Sequence, residues 1–266
     1  MTPVGPTSEM PLARVDPPWP GQPADGPGDG PHRTGAFPVP WTVLDAVGIV
    51  LWTLVAQLLV GVPMAALGFD ASTPLEIGIA LLAVESVTIV GILGWLRARG
   101  ILSWRILGPV RPRWRHVGIG AGVGIAGFVL ATVLPELIRR GLDIPPPPRQ
   151  QILDFVATGD PGIWLVVLIV VLVAPFLEEV VFRGLLFQVL RRRLGLWPGI
   201  ILSSVTFSIV HLELIDRPIQ LAALLVLGAW LAGALDRTGS LVVPITAHAL
   251  FNGVAIAATL GAPVAG

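Results

Sequence analysis

Between residues 162 and 190 the chain stays apolar for longer than the roughly 20 residues that a helix needs to cross a bilayer, yet that stretch carries Glu178, Glu179 and Arg183. An ionisable side chain at such a depth costs at least ~2.5 kcal/mol, so it has to be shielded by neighbouring helices and to have a use there. Two later apolar segments each carry one histidine, His211 and His248, and the second is followed four residues on by Asn252. These groups meet only if the helices pack side by side. The predicted fold class is therefore all-α, a polytopic helical membrane bundle with a water-holding polar site inside it, and hydrolysis is the reaction that such a set of side chains suggests.

Seven apolar segments run from Trp41 onward, at 42–67, 75–96, 117–138, 162–190, 198–212, 218–235 and 241–260, and predict about seven transmembrane helices. The fifth and sixth are short for a full crossing. Pro74, Pro198, Pro218, the Pro145 to Pro148 run and the Thr238-Gly239-Ser240 turn separate the segments. Residues 1–40, rich in Pro and Gly without apolar period, are expected to form a disordered tail, and 41–266 a single transmembrane domain without internal repeat.

Charge placement predicts orientation. All 17 basic residues are arginines and are balanced by 17 acidic ones, so nothing in the net charge points to nucleic acid as a partner. Six of them, Arg97, Arg99, Arg105, Arg111, Arg113 and Arg115, lie between the second and third segments, and Arg191, Arg192 and Arg193 close the fourth. By the positive-inside rule both places are cytoplasmic, which puts the N-terminus inside and the C-terminus outside. The bilayer expected is a bacterial plasma membrane. With no cysteine the chain has no disulfide framework, thiolate metal site or cysteine nucleophile, and oligomeric state is not encoded in any feature of the sequence.

On a helix, Glu179 and Arg183 stand at i and i+4 with the acid first, the favourable order for a pair, whereas Glu178 points about 100° away. Glu179 is thus expected to be braced by Arg183, leaving Glu178 as the candidate general base. Phe207 and His211 share a face of the fifth segment. His248 and Asn252 share a face of the seventh, so both can present donors to one small volume. The chain has no His-Glu-x-x-His zinc helix, no Gly-x-Ser-x-Gly elbow and no intramembrane Gly-Asp motif, which disfavours those protease classes. Ser203 and Ser204 read as small residues at a helix contact.

Glu178-Glu179-x-x-Phe182-Arg183, then Phe207-x-x-x-His211, then His248-x-x-x-Asn252, in that order on successive apolar segments, resembles the CPBP family of intramembrane proteases. That family contains the type II CAAX prenyl endopeptidases and bacterial relatives linked to bacteriocin processing and self-immunity. The stretch from Leu227-Gly228 to Asp236-Arg237-Thr238-Gly239-Ser240-Leu241 is similar as well, and the resemblance covers about 160–256. It implies an intramembrane endopeptidase whose catalytic residues are Glu178, His211, His248 and Asn252, supported by Glu179, Arg183 and Phe207. Glu178 with His211 would activate water, and His248 with Asn252 would stabilise the oxyanion. Its partners would be a peptide or membrane-protein substrate and the lipid bilayer. Glu178, His211 and His248 are equally a donor set for a divalent metal such as zinc; the absence of a close His pair favours the metal-independent form. Two other readings compete: a non-catalytic scaffold or self-immunity protein of the same fold, and a proton-coupled transporter using Glu85, Glu178 and Glu179, against which the lack of a repeat argues.

Overall fold

A computed structural model describes residues 41–100, 114–145, 155, 159–211, 214 and 217–260, without the side chains of 259 and 260. The expected tail at 1–40 and Arg105, Arg111 and Arg113 lie outside the described residues. Among those described there are seven helices and no strand: α1 Val43–Ala66, α2 Pro74–Ala98, α3 Trp114–Gly141, α4 Ile163–Leu194, α5 Leu196–Ile209, α6 Pro218–Thr238 and α7 Val242–Leu260. Five of them are long and apolar enough to cross a membrane: α1, α2, α3, α4 and α6. The sixth segment was expected to be short; the helix runs on through the charged Asp236-Arg237 end to Thr238 and has 21 residues, whereas the fifth, also expected to be short, has 14.

Local chemistry sets the helix starts. Thr42 accepts from the Asp45 amide while the Asp45 carboxylate accepts from the Thr42 amide at 2.8 Å, and Thr73 with Glu76 repeats this reciprocal cap in front of α2, with Pro74 in the first turn, where a missing N–H costs nothing. Leu44, Leu58, Val62 and Val90 are exposed over more than half their surface, as side chains facing hydrocarbon are.

The helix α4 runs through the centre of the bundle and is not uniform. It widens into π-type turns at Ile169–Val173 and again at Glu179–Phe187. Pro175, with no N–H to give to the turn before it, stands between the two. Every residue from Glu179 to Phe187 is buried. Leu185, Val181 and Phe182 pack with Ile49, Ile92 and Phe207, while Phe187 packs with Ile200, Leu235 and Leu241. On the far side α3 lies against α7 so closely that a Cβ on Gly120 would stand 2.7 Å from the Thr246 Cβ, and one on Gly124 2.7 Å from the Ala247 carbonyl oxygen. Only glycine permits that approach, the usual device for joining helices in lipid.

Candidate active site

The helix α5 has 14 residues and at 1.5 Å per residue reaches only about 21 Å, short of the roughly 30 Å hydrocarbon core. It therefore ends inside the bilayer, and His211 follows that end. Its Nδ1 lies 2.8 Å from the Phe207 carbonyl oxygen. A carbonyl only accepts, so Nδ1 carries the proton and donates, and Nε2 is turned toward Glu178, 4.0 Å from Oε1. Backbone that leaves the helix at this depth is tolerated where it borders a polar cavity.

His248, from the buried face of α7, is held by the same logic. Its Nδ1 is 2.9 Å from Oε1 of Glu179, and its Nε2 is 3.8 Å from Oε2 of Glu178. Glu179 Oε1 also receives Arg183 Nη1 at 2.8 Å, and as the carboxylate of that ion pair it accepts, so Nδ1 of His248 donates. Arg183 is itself fully committed: Nη2 donates to the Gly228 carbonyl at 3.3 Å and the guanidinium lies 4.4 Å from the centre of the Phe207 ring. That ring, fully buried, meets Phe182, His211 and His248 edge to face at 5.2, 5.0 and 5.8 Å. The Leu227-Gly228 stretch has a geometric role here, since a Cβ on Gly228 would stand 3.0 Å from the Ser204 Cβ, so the residue that offers its carbonyl to Arg183 packs tightly on α5.

The structure thus brings Glu178, Glu179, Arg183, Phe207, His211 and His248 into one cluster, and Asn252 to the same cavity. That cavity, about 510 Å³, is walled by α1, α2, α4, α6 and α7 and by Val210 and His211 after α5. The expected brace between Glu179 and Arg183 is present. What the spacing did not reveal is that Glu179 also orients His248, a contact across 69 positions. Glu179 Oε2 has no hydrogen-bond partner among the described residues. Asn252 lines the cavity beside His248, and its Nδ2 donates to the Val170 carbonyl at 2.8 Å. That carbonyl lies in the first widened turn of α4. One amide hydrogen is thereby spent on tying α7 to α4.

The opposite wall carries Thr53, Gln57, Glu85 and Thr88, from α1 and α2. Of these the sequence reading had named Glu85 alone, and for transport. The available signal was the isolated polar residue inside an apolar segment.

Zinc requires ligand atoms at about 2.0–2.2 Å from one point, and among the described residues no group of three His, Asp or Glu side chains is arranged to hold a metal ion. The Glu178 carboxylate faces His211 and His248 without touching either. Their separations of 3.8 and 4.0 Å exceed a direct hydrogen bond and suit a water bridging carboxylate and imidazole.

Comparison with known proteins places this cluster in context. Residues 160–254 match the model of the type II CAAX prenyl endopeptidase Rce1-like family. The resemblance read from the motifs thus holds over the part of the chain that builds the cluster. An "Uncharacterized 24.3 kDa protein" of Escherichia coli is 30% identical over 142 residues, covering 53% of this chain and 64% of that protein. The "Putative membrane peptidase YdiL" of Bacillus subtilis (strain 168) is 29% identical over 142 residues, covering 51% of this chain and 55% of that protein. The matched region spans less than two thirds of either relative. No solved structure matches the chain.

Proposed function

We propose that this integral membrane protein is an intramembrane endopeptidase that hydrolyses a peptide bond with water activated by Glu178 and His211. The observation that carries the reading is the convergence, on one membrane-embedded cavity, of the Glu178 carboxylate with two imidazoles whose Nε2 atoms both face it, each fixed from behind through Nδ1. A water between Glu178 and His211 can give one hydrogen to each and point its lone pair at a carbonyl carbon. Glu178 takes the proton as the oxygen attacks, and returns it to the departing amine. His248, oriented by Glu179, donates Nε2–H to the oxyanion when it is protonated, and Asn252 has one amide hydrogen left for the same oxygen. The match of residues 160–254 to a family of endopeptidases supports this assignment.

The reaction as proposed needs no metal. Activity should survive exhaustive chelation, and the purified protein should contain no stoichiometric zinc. Loss on chelation with rescue by added zinc would replace this mechanism with a metal-dependent one. The membrane is proposed to be the bacterial plasma membrane with the N-terminus inside, and the substrate a peptide or membrane protein. Peptide termini in membranes from cells carrying wild-type protein or Glu178→Ala test the whole reading: termini present only with wild type identify the substrates. Identical termini would leave the fold as a non-catalytic scaffold or self-immunity protein.

A further inference from the structure

Resting on the endopeptidase reading, we infer that Glu85 on α2 is a specificity residue that selects substrates with a cationic side chain close to the scissile bond. Four ionisable side chains line the cavity among the described residues: Glu85, Glu178, His211 and His248. Arginine is absent from that lining and the chain has no lysine. The neighbouring guanidinium, Arg183, is occupied by Glu179, the Gly228 carbonyl and the Phe207 face. A free C-terminal carboxylate entering this cavity would thus meet two carboxylates and no fixed cation, whereas a basic side chain would meet an acid that the mechanism does not use.

Glu85 is placed to be that acid. It lines the cavity from α2, and the same lining includes Glu178 of α4, His211 after α5 and His248 of α7; no described residue gives it a hydrogen bond or ion pair. Glu85 and Glu178 thus line the same cavity. Glu85 also borders a second hollow of about 340 Å³ between α2 and α4, which shares Glu85 and Leu177 with the first and is otherwise lined by Leu82, Ile89, Leu172 and Phe176, with Val173 and Ser86. An apolar trough ending at a carboxylate fits an arginine or lysine, whose aliphatic stem packs on hydrocarbon while its head reaches the charge.

Full-length protein in nanodiscs should be offered internally quenched peptides that carry Arg, Gln, Leu or Glu at each position flanking a central bond. The wild type should prefer Arg at one position by about tenfold or more in kcat/KM over Gln, the weight of one charge-assisted hydrogen bond. Glu85→Gln should collapse that ratio toward one, Glu85→Asp should keep part of it, and Glu85→Arg should move the preference to Glu. Wild-type protein that cuts peptides with no basic preference, or a ratio that Glu85→Gln leaves unchanged in folded protein, overturns the inference while the peptidase reading stands. Binding of the same peptides to Glu178→Gln, read by fluorescence anisotropy, separates the opposite case. An Arg preference that depends on Glu85 without any cleavage by wild type sustains the inference and removes the peptidase reading, and no selective binding with no cleavage removes both.

Discussion

Arg183 is buried, and three neighbours take the place of solvent around it: the Glu179 carboxylate, the Gly228 carbonyl and the Phe207 ring. Removing it leaves the Glu179 charge buried and uncompensated, which costs about 3–5 kcal/mol. Arg183→Ala should therefore lower the melting temperature in detergent, and an unchanged melt in both Arg183→Ala and Glu179→Ala would show that the pair is not a brace. Glu178 differs because its carboxylate is about a quarter exposed to the cavity and makes no direct hydrogen bond. Glu178→Gln should keep the melting temperature of the wild type and lose nearly all cleavage; wild-type rates in that variant would remove Glu178 as the base. This division between adjacent acids was legible in the sequence, because the i,i+4 spacing to Arg183 belongs to a single helix. The grip of Glu179 on His248 was not, since it depends on how α7 lies against α4, and no spacing within either segment encodes that.

At the scale of elements, the features that set the site are departures from regular helices. The helix α5 stops inside the bilayer and so delivers His211; α4 opens at Ile169–Val173 and so offers the Val170 carbonyl to Asn252. Hydropathy located all seven helices to within a few residues, because burial in lipid is written into every position. It was blind to the widened turns, whose dihedrals differ little from those of an α-helix, and it took the sixth helix as short because charged residues end its apolar window. The α3 to α7 contact lay in plain view as Gly120-x-x-x-Gly124, but its partner could not be read without knowing which helix lies opposite. Gly124→Ala tests the contact: its Cβ would stand 2.7 Å from the Ala247 carbonyl oxygen, next to His248. Overpacking of this kind costs about 1–3 kcal/mol. The variant should melt lower and lose kcat by a larger factor than it raises KM, because His248 moves with α7. A melt and kcat both equal to wild type would show that α7 adjusts freely.

Across the whole molecule, one end of the bundle is held together by charge. Arg99 at the end of α2 pairs with Asp45 at the start of α1, and Arg191 near the end of α4 pairs with Asp236 near the end of α6. The Trp41 indole N–H at the same end donates to the Leu185 carbonyl at 3.0 Å. Helix ends alternate sides with each crossing, and the start of α1 and the ends of α2, α4 and α6 fall on one side, as the alternation requires. Among the described residues, Arg99 and Arg191 are thus gathered on a single face with the acids that partner them, and Arg192 and Arg193 at the end of α4 add to the same face. The proposed orientation has this face inside. Because the chain contains no cysteine, single cysteines placed at Ser103 and Gly266 can be labelled with a membrane-impermeant thiol reagent without background. Gly266→Cys should label in intact cells, and Ser103→Cys only after the membrane is permeabilised. The reverse pattern would invert the bundle and place the arginine face outside, against the charge rule, with consequences for which side of the membrane a substrate reaches Glu178 from.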